Sequence, residues 1–500
     1  MKWSIQVVKA STHNTGSTSL LVHFAQGRYL FNCGEGTQRL CFENTLRISK
    51  LTAVFLTRVD WENMGGLPGM LLTLADSGAR NMTVCGGHNL THAMAATRHF
   101  VLRSDMGVGV KELRDGDADA TFKDDNIRVT PVHIYPEGYT PAAAELGPDG
   151  SEDARVRREM LAQALGIRSE SAGSGEGRRA GAQQMQRKKG YYAGQCQEAA
   201  IEEHLQRIEQ RHEQQPRPRQ RPQQTEAGAM PAPAAAPSHD ARQSGNSAQH
   251  LPPTRPTPAA LCYIVEGPEV PGKFDPKAAL ALGLKPGPNY RRLVAGECVT
   301  APDGTVIRPD QCVGPARASG IFILVDCPSV AYIPSVVGSA RFAPFLDEPQ
   351  AGDMQSRLLV VVHSLGAGVA GDARYRAWAA RFPAHVRHMV SAPEHVADNN
   401  PFQRHLRIQA SMAAVNPRVF VLPQAATKPD IPAEEFLPGR SVVVPHSLTM
   451  FDVEPAPKLD DSLVRRLLSP EEMLAQQAPD AAGPPAASPD PAAAEPGLVV

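Results

Sequence analysis

The 500-residue sequence predicts an α/β protein made of stacked sheets and helices, and three observations lead to this prediction. Apolar runs of five or six residues, the usual length of a buried strand, occur before residue 140 and again after residue 260. Amphipathic segments of helical length alternate with them, which is typical of a layered α/β fold. The 42% hydrophobic content can fill a core, although 45 prolines, about twice average usage, indicate that part of the chain is not globular.

The region from 3 to 135 begins with short strands. The stretch SLLVHFAQGRYLFNCGEG predicts strands at 19–25 and 28–33, joined by a tight turn at Gln26 and Gly27. The pattern then predicts a helix at 35–44, a strand at 52–57, a helix near 66–76, and strands near 82–85 and 127–134.

The middle of the chain differs in composition. From about 145 to 258 it is polar, repetitive and rich in Pro, Gln, Arg and Ala, so we expect it to be mostly disordered, with a short helix at 199–213. Strands and helices return after 260, with helices expected at 372–382 and 402–414. After about 455 the sequence predicts a Pro/Ala-rich tail or linker.

Charge and cysteine content restrict the function classes. The net charge of −1 gives no overall basic field, so any contact with nucleic acid must come from a local patch. The eight cysteines form no C-x-x-C pair, which favours reduced thiols in an intracellular protein. The N-terminus lacks the apolar core of a signal peptide, and no apolar run approaches the roughly 20 residues of a membrane helix. We therefore expect no membrane partner.

Two motifs carry a family resemblance. YLFNCGEGTQR, residues 29–39, is followed about twenty residues later by VFLTRVDWENMGGLPGML, residues 54–71. This arrangement resembles the start of the metallo-β-lactamase fold in ribonuclease Z, the zinc-dependent endoribonuclease that trims the 3′ end of precursor tRNA. The family has a strand ending in D/N-C-G-E-G-T-Q, then a strand, the metal motif His-x-His-x-Asp-His, and G-L-P-G. The resemblance implies an αββα sandwich.

Later segments narrow the resemblance to the long form of that enzyme. ILVDCPSVAYIPSVV, LVVVHSLGAGVAGDARYRAWAARF and NPRVFVLP are similar, in order, to later elements of its amino-terminal fold copy. In that family the amino-terminal copy carries an arm that grips tRNA, and the carboxy-terminal copy carries zinc. The resemblance covers about 4–140 and 260–425.

The metal motif is degenerate in this chain. Its four ligand positions hold Arg58, Asp60, Glu62 and Asn63. Arg58 is a fixed cation and cannot ligate a metal. We expect Asp60, Glu62 and Asn63 to cap and solvate the start of a helix instead. The residues thus support no catalytic group and no zinc in this chain, although the family's catalytic half holds zinc.

Other candidate chemistry is weak. His88 and His92 are spaced to share a helix face, and His385 and His388 are three apart, but no carboxylate follows either pair as a ligand would, so ordinary histidines are expected. His133 and His363 end apolar strands, which predicts a place at the edge of the core. Cys33 lacks a neighbouring His/Asp pattern and is expected to be buried. The HSLGAGVAG loop at 363–371 lacks the Lys-Ser/Thr ending of a phosphate loop.

The segment GLKPGPNYRRLVAGE resembles the part of the arm that bears a Gly-Pro motif. Its composition alone is that of an ordinary Pro-Gly surface loop, and the resemblance points instead to RNA binding. Cationic side chains would bind phosphates, an aromatic ring could stack on a base, and the Pro-Gly-Pro turn would present them. The candidate RNA-binding residues are Lys285, Gly287, Pro288, Tyr290, Arg291 and Arg292. Basic tracts at 178–189 and 216–224 could add weak attraction, but their composition favours a solvated linker.

The predicted organisation has five parts. Residues 1–145 and 316–455 form the two portions of the metallo-β-lactamase-like domain, 146–258 a low-complexity insertion, 259–315 the arm-like segment, and 456–500 the tail or linker.

The expected function is tRNA 3′-end processing, as the substrate-binding, non-catalytic half of a ribonuclease Z, either a chain that ends early or one partner of a split enzyme. Its partners would be precursor tRNA and a catalytic fold copy, in cis or in trans, in the nucleus, mitochondrion or cytoplasm. Two alternatives stay open. One is a metal-free scaffold of the same fold in another RNA-processing complex, and the other is a hydrolase that binds metal through unexpected ligands.

Overall fold

A computed structural model describes the chain at 2–12, 16–101, 106–117, 120–142, 145–146, 149–165, 250–270, 272–301, 304–347, 353–397, 400–424 and 431–477. The expected helix at 199–213 and both basic tracts lie outside these residues. Among the described residues, no helix is long and apolar enough to cross a membrane.

Two sheets form the centre of the fold. The first has eight strands in the order β17-β16-β1-β2-β3-β4-β5-β6. Its strands are β1 (Trp3–Lys9), β2 (Ser19–His23), β3 (Arg28–Phe31), β4 (Leu51–Phe55), β5 (Asn81–Gly86), β6 (Gly107–Glu112), β16 (Met450–Glu454) and β17 (Lys458–Asp460). Strands β3 to β6 are mutually parallel and the other pairings are antiparallel.

The second sheet has seven strands in the order β15-β14-β13-β12-β9-β8-β7. Its strands are β7 (Phe122–Lys123), β8 (Arg128–Ile134), β9 (Ala260–Glu266), β12 (Ile321–Cys327), β13 (Leu358–Leu365), β14 (Arg387–Ser391) and β15 (Val442–Val443). Strands β12 to β15 are parallel, which places their carboxyl ends at one edge of the sheet.

Some helices pack on the outer face of a sheet, and others pack in separate small clusters. They are α1 (Thr37–Glu43), α2 (Trp61–Met64), α3 (Leu67–Asp76), α4 (Leu90–Ala96), α5 (Glu152–Leu165), α6 (Pro276–Ala281), α7 (Pro288–Val294), α8 (Ile333–Gly338), α9 (Asp353–Arg357), α10 (Ala373–Ala379), α11 (Gln403–Val415) and α12 (Pro470–Gln477). The hairpin β10 (Val299–Thr300) and β11 (Val306–Ile307) stands apart from both sheets.

Alternating side chains of the strands make a four-layer stack. On β4, Ala53 and Phe55 point into the core between the sheets, where Phe55 meets Tyr263 of β9, while Leu51 and Val54 pack under α1, α3 and α4. A third core lies between the second sheet and α8 and α10. This is the αββα arrangement that the sequence predicts.

Three predicted boundaries require correction. Helix α5 lies within 146–258 and is ordered because Leu161 and Leu165 join the core under the first sheet. Strand β9 begins the predicted arm segment but belongs to the second sheet. Strand β17 and helix α12 lie within the predicted tail, because Leu459 packs on the inter-sheet core and Met473 packs against α11.

Candidate functional site

The two family-like motifs meet backbone to backbone. The amide of Cys33 donates to the carbonyl of Asn63 at 2.7 Å, and the amide of Gly66 donates to the carbonyl of Cys33 at 2.9 Å. A Cβ at Gly34 would lie 2.2 Å from the Glu62 carbonyl oxygen, and a Cβ at Gly66 would lie 2.2 Å from the Gly34 carbonyl oxygen. Only glycine fits these two positions, so the glycines are needed for packing whether or not a metal is held.

The degenerate motif follows strand β4 at the rim of a cleft of about 920 Å³. Asp60 is the N-cap of α2, and its Oδ1 accepts from the backbone amide of Asn63 at 3.0 Å, as the sequence predicts. Asn63 differs from the prediction because it is fully buried and does not solvate the helix start. Its Nδ2 donates to Asp60 at 2.6 Å, and its Oδ1 accepts from the hydroxyl of Thr57 at 3.2 Å.

Arg58 occupies the centre of the motif. Its Nη1 lies 2.8 Å from Asp60 Oδ2, its Nη2 lies 3.1 Å from Glu62 Oε2, and its Nε donates to Asp326 Oδ2 at 3.1 Å. Three carboxylates therefore converge on one guanidinium. A tethered cation balances their charge, as a bound metal ion would in a metal site of this kind.

Asp326 is the partner that sequence reasoning missed. It lies near the end of β12 in the other sheet, and its side chain is only 3% exposed. Burial raises the pKa of Asp326, and the Arg58 guanidinium opposes this by favouring the carboxylate. The ion pair thus links the two sheets at the edge where β4 and β12 end. A buried strand that ends in an acidic residue, in ILVDCP, was the available signal.

The cleft carries balanced charge. Its lining includes Lys9, Arg39 and Arg58 but also Glu35, Glu62 and Asp326. Lys9 is almost fully buried, and burial lowers the pKa of its ammonium. With three cations facing three anions, the cleft has no surplus of positive charge with which to hold RNA phosphates.

The cysteine of the first motif is not placed to act as a nucleophile. Cys33 is fully buried, as expected, and burial raises the pKa of its thiol, so a thiolate is disfavoured. Across the described ranges, no three His, Cys, Asp or Glu side chains are grouped so that they could hold a metal ion. Because the Arg58 guanidinium already lies among the carboxylates and cannot ligate a metal, the residues present at the motif do not fit zinc.

The four candidate histidines lie in separate places. His88 lies in the turn before α4 and His92 lies within α4, so the pair does not share a helix face as the sequence suggests. His385 precedes β14 and bonds the Leu358 carbonyl at 3.1 Å. His388 lies on β14 and faces His363.

Strand-end histidines are bound inside the fold. His133 bonds the Leu113 carbonyl at 2.9 Å. His363 lies in the interior and not at the core edge: its Nδ1 is 2.7 Å from the Tyr375 hydroxyl and its Nε2 is 3.0 Å from His388 Nδ1. Burial lowers the pKa of His363 well below its usual value and that of His388 to about 4. Both are neutral structural groups near pH 7.

The arm is a small subdomain with its own core. Its base is closed by backbone bonds between Val270 and Arg317, 2.8 and 3.0 Å long. Helices α6 and α7 and the β10–β11 hairpin pack around a separate apolar cluster. That cluster comprises Ala279, Leu284, Leu293, Val299, Ala301, Ile307 and Cys312, with Phe274, Leu282 and Tyr290 against it.

The candidate RNA-binding residues divide into two groups. Lys285, Arg291 and Arg292 are exposed, and Arg292 forms a solvent-exposed ion pair with Glu297 at 2.8 Å. Gly287 caps α7 with an extended backbone, and Pro288 begins the helix.

Tyr290 faces the arm's own core. Its hydroxyl donates to the Leu284 carbonyl at 3.0 Å, and its ring lies 4.7 Å from that of Phe274. The ring is therefore used in packing, and stacking on a base is not the role that its position favours.

Comparisons with known proteins give consistent results. A family model described as tRNase Z endonuclease matches residues 6–66. The chain is 26% identical over 434 residues to tRNAse Z TRZ4, mitochondrial, of Arabidopsis thaliana, covering 81% of this chain and 34% of that protein. It is 25% identical over 424 residues to the Zinc phosphodiesterase ELAC protein 2 of Mus musculus, covering 83% of this chain and 41% of that protein.

A solved structure shares the architecture. The crystal structure of a long form RNase Z from yeast matches with a TM-score of 0.56 and 17% identity, covering 92% of this chain and 49% of the other. This match confirms the metallo-β-lactamase-like fold, and together the comparisons confirm the resemblance to long-form ribonuclease Z. The chain spans only about a third to two-fifths of the length of these curated relatives.

Proposed function

We propose that this chain, a relative of long-form ribonuclease Z, is the substrate-binding and non-catalytic part of a tRNA 3′-end-processing endoribonuclease. One contrast carries the proposal: Arg58 at the motif is paired with three carboxylates, whereas Lys285 and Arg291 of the arm are exposed and have no described carboxylate partner. The relatives named tRNase Z support tRNA as the substrate class.

The arm would bind precursor tRNA through its backbone. Lys285, Arg291 and Arg292 are exposed on a subdomain whose own core holds α7 in place, so little ordering entropy opposes binding. A-form RNA is recognised chiefly through shape and phosphate contacts. We therefore expect a preference for folded tRNA over an unstructured strand.

Zinc and hydrolysis would come from a second fold copy, in cis or in trans. The guanidinium at Arg58 excludes a metal from the motif, so no step of hydrolysis is assigned to this cleft. In a metal-bearing copy, zinc would lower the pKa of a bound water and supply the hydroxide. This chain would hold the substrate, and the metal-bearing copy would cleave it.

Helix α11 offers a docking surface for that copy. Its buried face contains Leu406, Ala410 and Ala413, and it packs against Met473 of α12 in a small separate cluster. Its opposite face is also apolar, with Ile408 53%, Met412 38% and Val415 85% exposed. A surface helix normally turns a polar face to water, so this outer face, called here the α11 face, indicates a partner.

The charges of α11 favour a different partner over a second copy of this chain. The helix contains Arg404 and Arg407 and no acidic residue, so two copies packed face to face would bring like charges together. We assign the α11 face to the catalytic copy, with acidic groups beside its apolar surface. The matched relatives contain more than enough additional chain for such a body.

The names of the relatives suggest a compartment of action. Two relatives in Arabidopsis thaliana and one in Drosophila melanogaster carry "mitochondrial" in their names. We propose the mitochondrion as one site of action, which imaging of a tagged chain would test.

The purified chain tests the functional proposal. We expect tight binding of precursor tRNA, weaker binding of an unstructured RNA of equal length, little zinc by elemental analysis, and no cleavage. Zinc-dependent cleavage that a chelator abolishes would establish the hydrolase alternative. Equal binding of both RNAs would favour the scaffold alternative.

A further inference from the structure

A second cleft, called here the arginine groove, lies at the opposite end of the central strands from the motif cleft. Arg28 begins β3 and Arg47 lies in the loop that leads into β4, whereas Arg58 follows β4. Arg465, after β17, completes the groove, which has a volume of about 520 Å³. Among the described residues, its lining contains these three arginines and His23, and no carboxylate.

The three arginines are unpaired. None of them forms an ion pair with an Asp or Glu in the part of the chain that the structure describes. Arg28 is instead fixed by neutral acceptors: its Nε donates to His23 Nδ1 at 3.1 Å, and its Nη1 donates to the Arg47 carbonyl. Because His23 Nδ1 accepts, its Nε2 carries the proton and donates to Gln6 Oε1 at 2.9 Å.

This arrangement is electrostatically unfavourable without a ligand. Burial and the charge of Arg47 lower the pKa of Arg28, and burial together with Arg28 lowers the pKa of His23 to about 4. Arg58 and Arg357, two other partly buried arginines, are paired with Asp326 and Glu266, whereas Arg376 and Arg440 bond carbonyl oxygens as Arg28 does. Three guanidinium groups that line one concave site, with no described carboxylate among them, indicate an anionic ligand.

We propose that the arginine groove binds phosphate groups of an RNA backbone, as a contact separate from the arm. The inference rests on the proposed function, which supplies RNA as the partner. Arg47 and Arg465 are exposed and can reach a phosphodiester. Arg28 bonds the carbonyl of Arg47, which holds the loop before β4, and adds a third positive charge to the groove. Such a groove reads no sequence, so it would add affinity and salt dependence but not specificity.

Substitution of Arg47→Gln together with Arg465→Gln tests the proposal while Arg28, which holds the loop, stays in place. We expect precursor tRNA affinity to fall on the order of tenfold at 0.15 M salt, and the salt slope to fall by roughly 0.9 for each phosphate contact removed. The matched control is Arg128→Gln with Arg418→Gln, two exposed arginines outside the groove and the arm. Unchanged affinity and salt slope, or equal losses in the control, would overturn the proposal that the arginine groove binds RNA.

Footprinting with phenylglyoxal, which modifies arginines, adds a site-level readout. Precursor tRNA should protect Arg47 and Arg465 but leave Arg128 and Arg418 reactive, whereas saturating inorganic phosphate should not give the same protection. Protection by inorganic phosphate with none by RNA would mean a small-anion site and would overturn the RNA assignment. If the arm variant loses RNA binding and the groove variant does not, only this inference fails. If the wild-type chain binds no RNA, the proposed function fails with it.

Discussion

The motif cleft and the arm both concentrate charged side chains, but they use them in opposite ways. In the cleft, Arg58 contacts three carboxylates within 3.1 Å, so its charge is neutralised by groups of the same protein. In the arm, Lys285 and Arg291 point to solvent without a described carboxylate partner, and the exposed pair of Arg292 with Glu297 is easily exchanged. Paired charge fixes a fold, whereas presented charge is available to bind RNA.

The largest expected effect comes from breaking the charge balance of the cleft. Arg58→Ala leaves Asp326 buried without its cation, so the free energy of unfolding should fall by about 3 kcal/mol. Urea unfolding at pH 7 measures the change. The control is Arg381→Ala, which removes an exposed pair with Asp347 and should cost less than about 1 kcal/mol.

A second variant separates charge from packing in this prediction. Replacing Asp326 by Asn in the Arg58→Ala background removes the orphaned carboxylate and should restore part of the lost stability. A loss in Arg58→Ala no greater than in Arg381→Ala would contradict the view that Arg58 holds the two sheets together at the cleft.

Acid should lower the stability of the domain that carries the motif cleft, because it contains a buried neutral histidine. The folded pKa of His388 is about 4, below the roughly 6.5 of an unfolded His, so the unfolded chain binds more protons between these values. Stability is complete above about pH 6.5 and is lost as the pH falls towards 4. Urea unfolding at several pH values should show this slope.

The contribution of His388 can be isolated by substitution. His388→Gln should reduce the slope between pH 4.5 and 6.5 by up to one proton, roughly 1.4 kcal/mol per pH unit. The exposed His446→Gln serves as the control and should leave the slope unchanged. An unaltered slope in His388→Gln would refute the buried, neutral assignment.

The α11 face is a third region to compare with the motif cleft and the arm, because it presents apolar rather than charged side chains. Ile408→Asp with Met412→Asp should weaken binding to a metal-bearing fold copy by tenfold or more, because charges would enter an apolar contact. The control Ala414→Asp places one negative charge on an exposed position of the same helix outside the α11 face and should leave the affinity near that of the unaltered chain.

A photo-crosslinking residue at position 412 of the full chain identifies the partner in cells. The cross-linked peptide should belong to a body with an intact His-x-His-x-Asp-His motif. A peptide from a second copy of this chain, or from a protein of another fold, would contradict the assignment of the α11 face.

Local features of the sequence predicted the fold well. Strand and helix positions before 140 and after 260 follow from apolar periodicity, and Asp60 as a helix cap follows from its side-chain chemistry. The tail was harder to predict because its composition is dominated by Pro and Ala, while few apolar residues, among them Leu459 and Met473, pack β17 and α12 on the fold.

Contacts between residues distant in sequence could not be predicted from sequence patterns. Arg58 was recognised as unable to bind metal, but its contact with Asp326, 268 positions away, depends on how two sheets meet. Tyr290 likewise looked available for stacking until Phe274, from the other side of the arm's core, was found against it. Packing partners distant in sequence decide whether a polar or aromatic side chain is used inside the protein or presented outside.

The most direct test of the account is a salt titration of precursor tRNA binding by two variants. Replacing Lys285, Arg291 and Arg292 by Ala should weaken binding and make the salt dependence shallower, by roughly one counterion for each phosphate that is no longer bound. Replacing Asp60 and Glu62 by Ala should neither weaken binding nor reduce the salt slope, because the cleft is not expected to hold phosphates. Wild-type affinity and slope in the arm variant would contradict the claim that RNA is held by the arm.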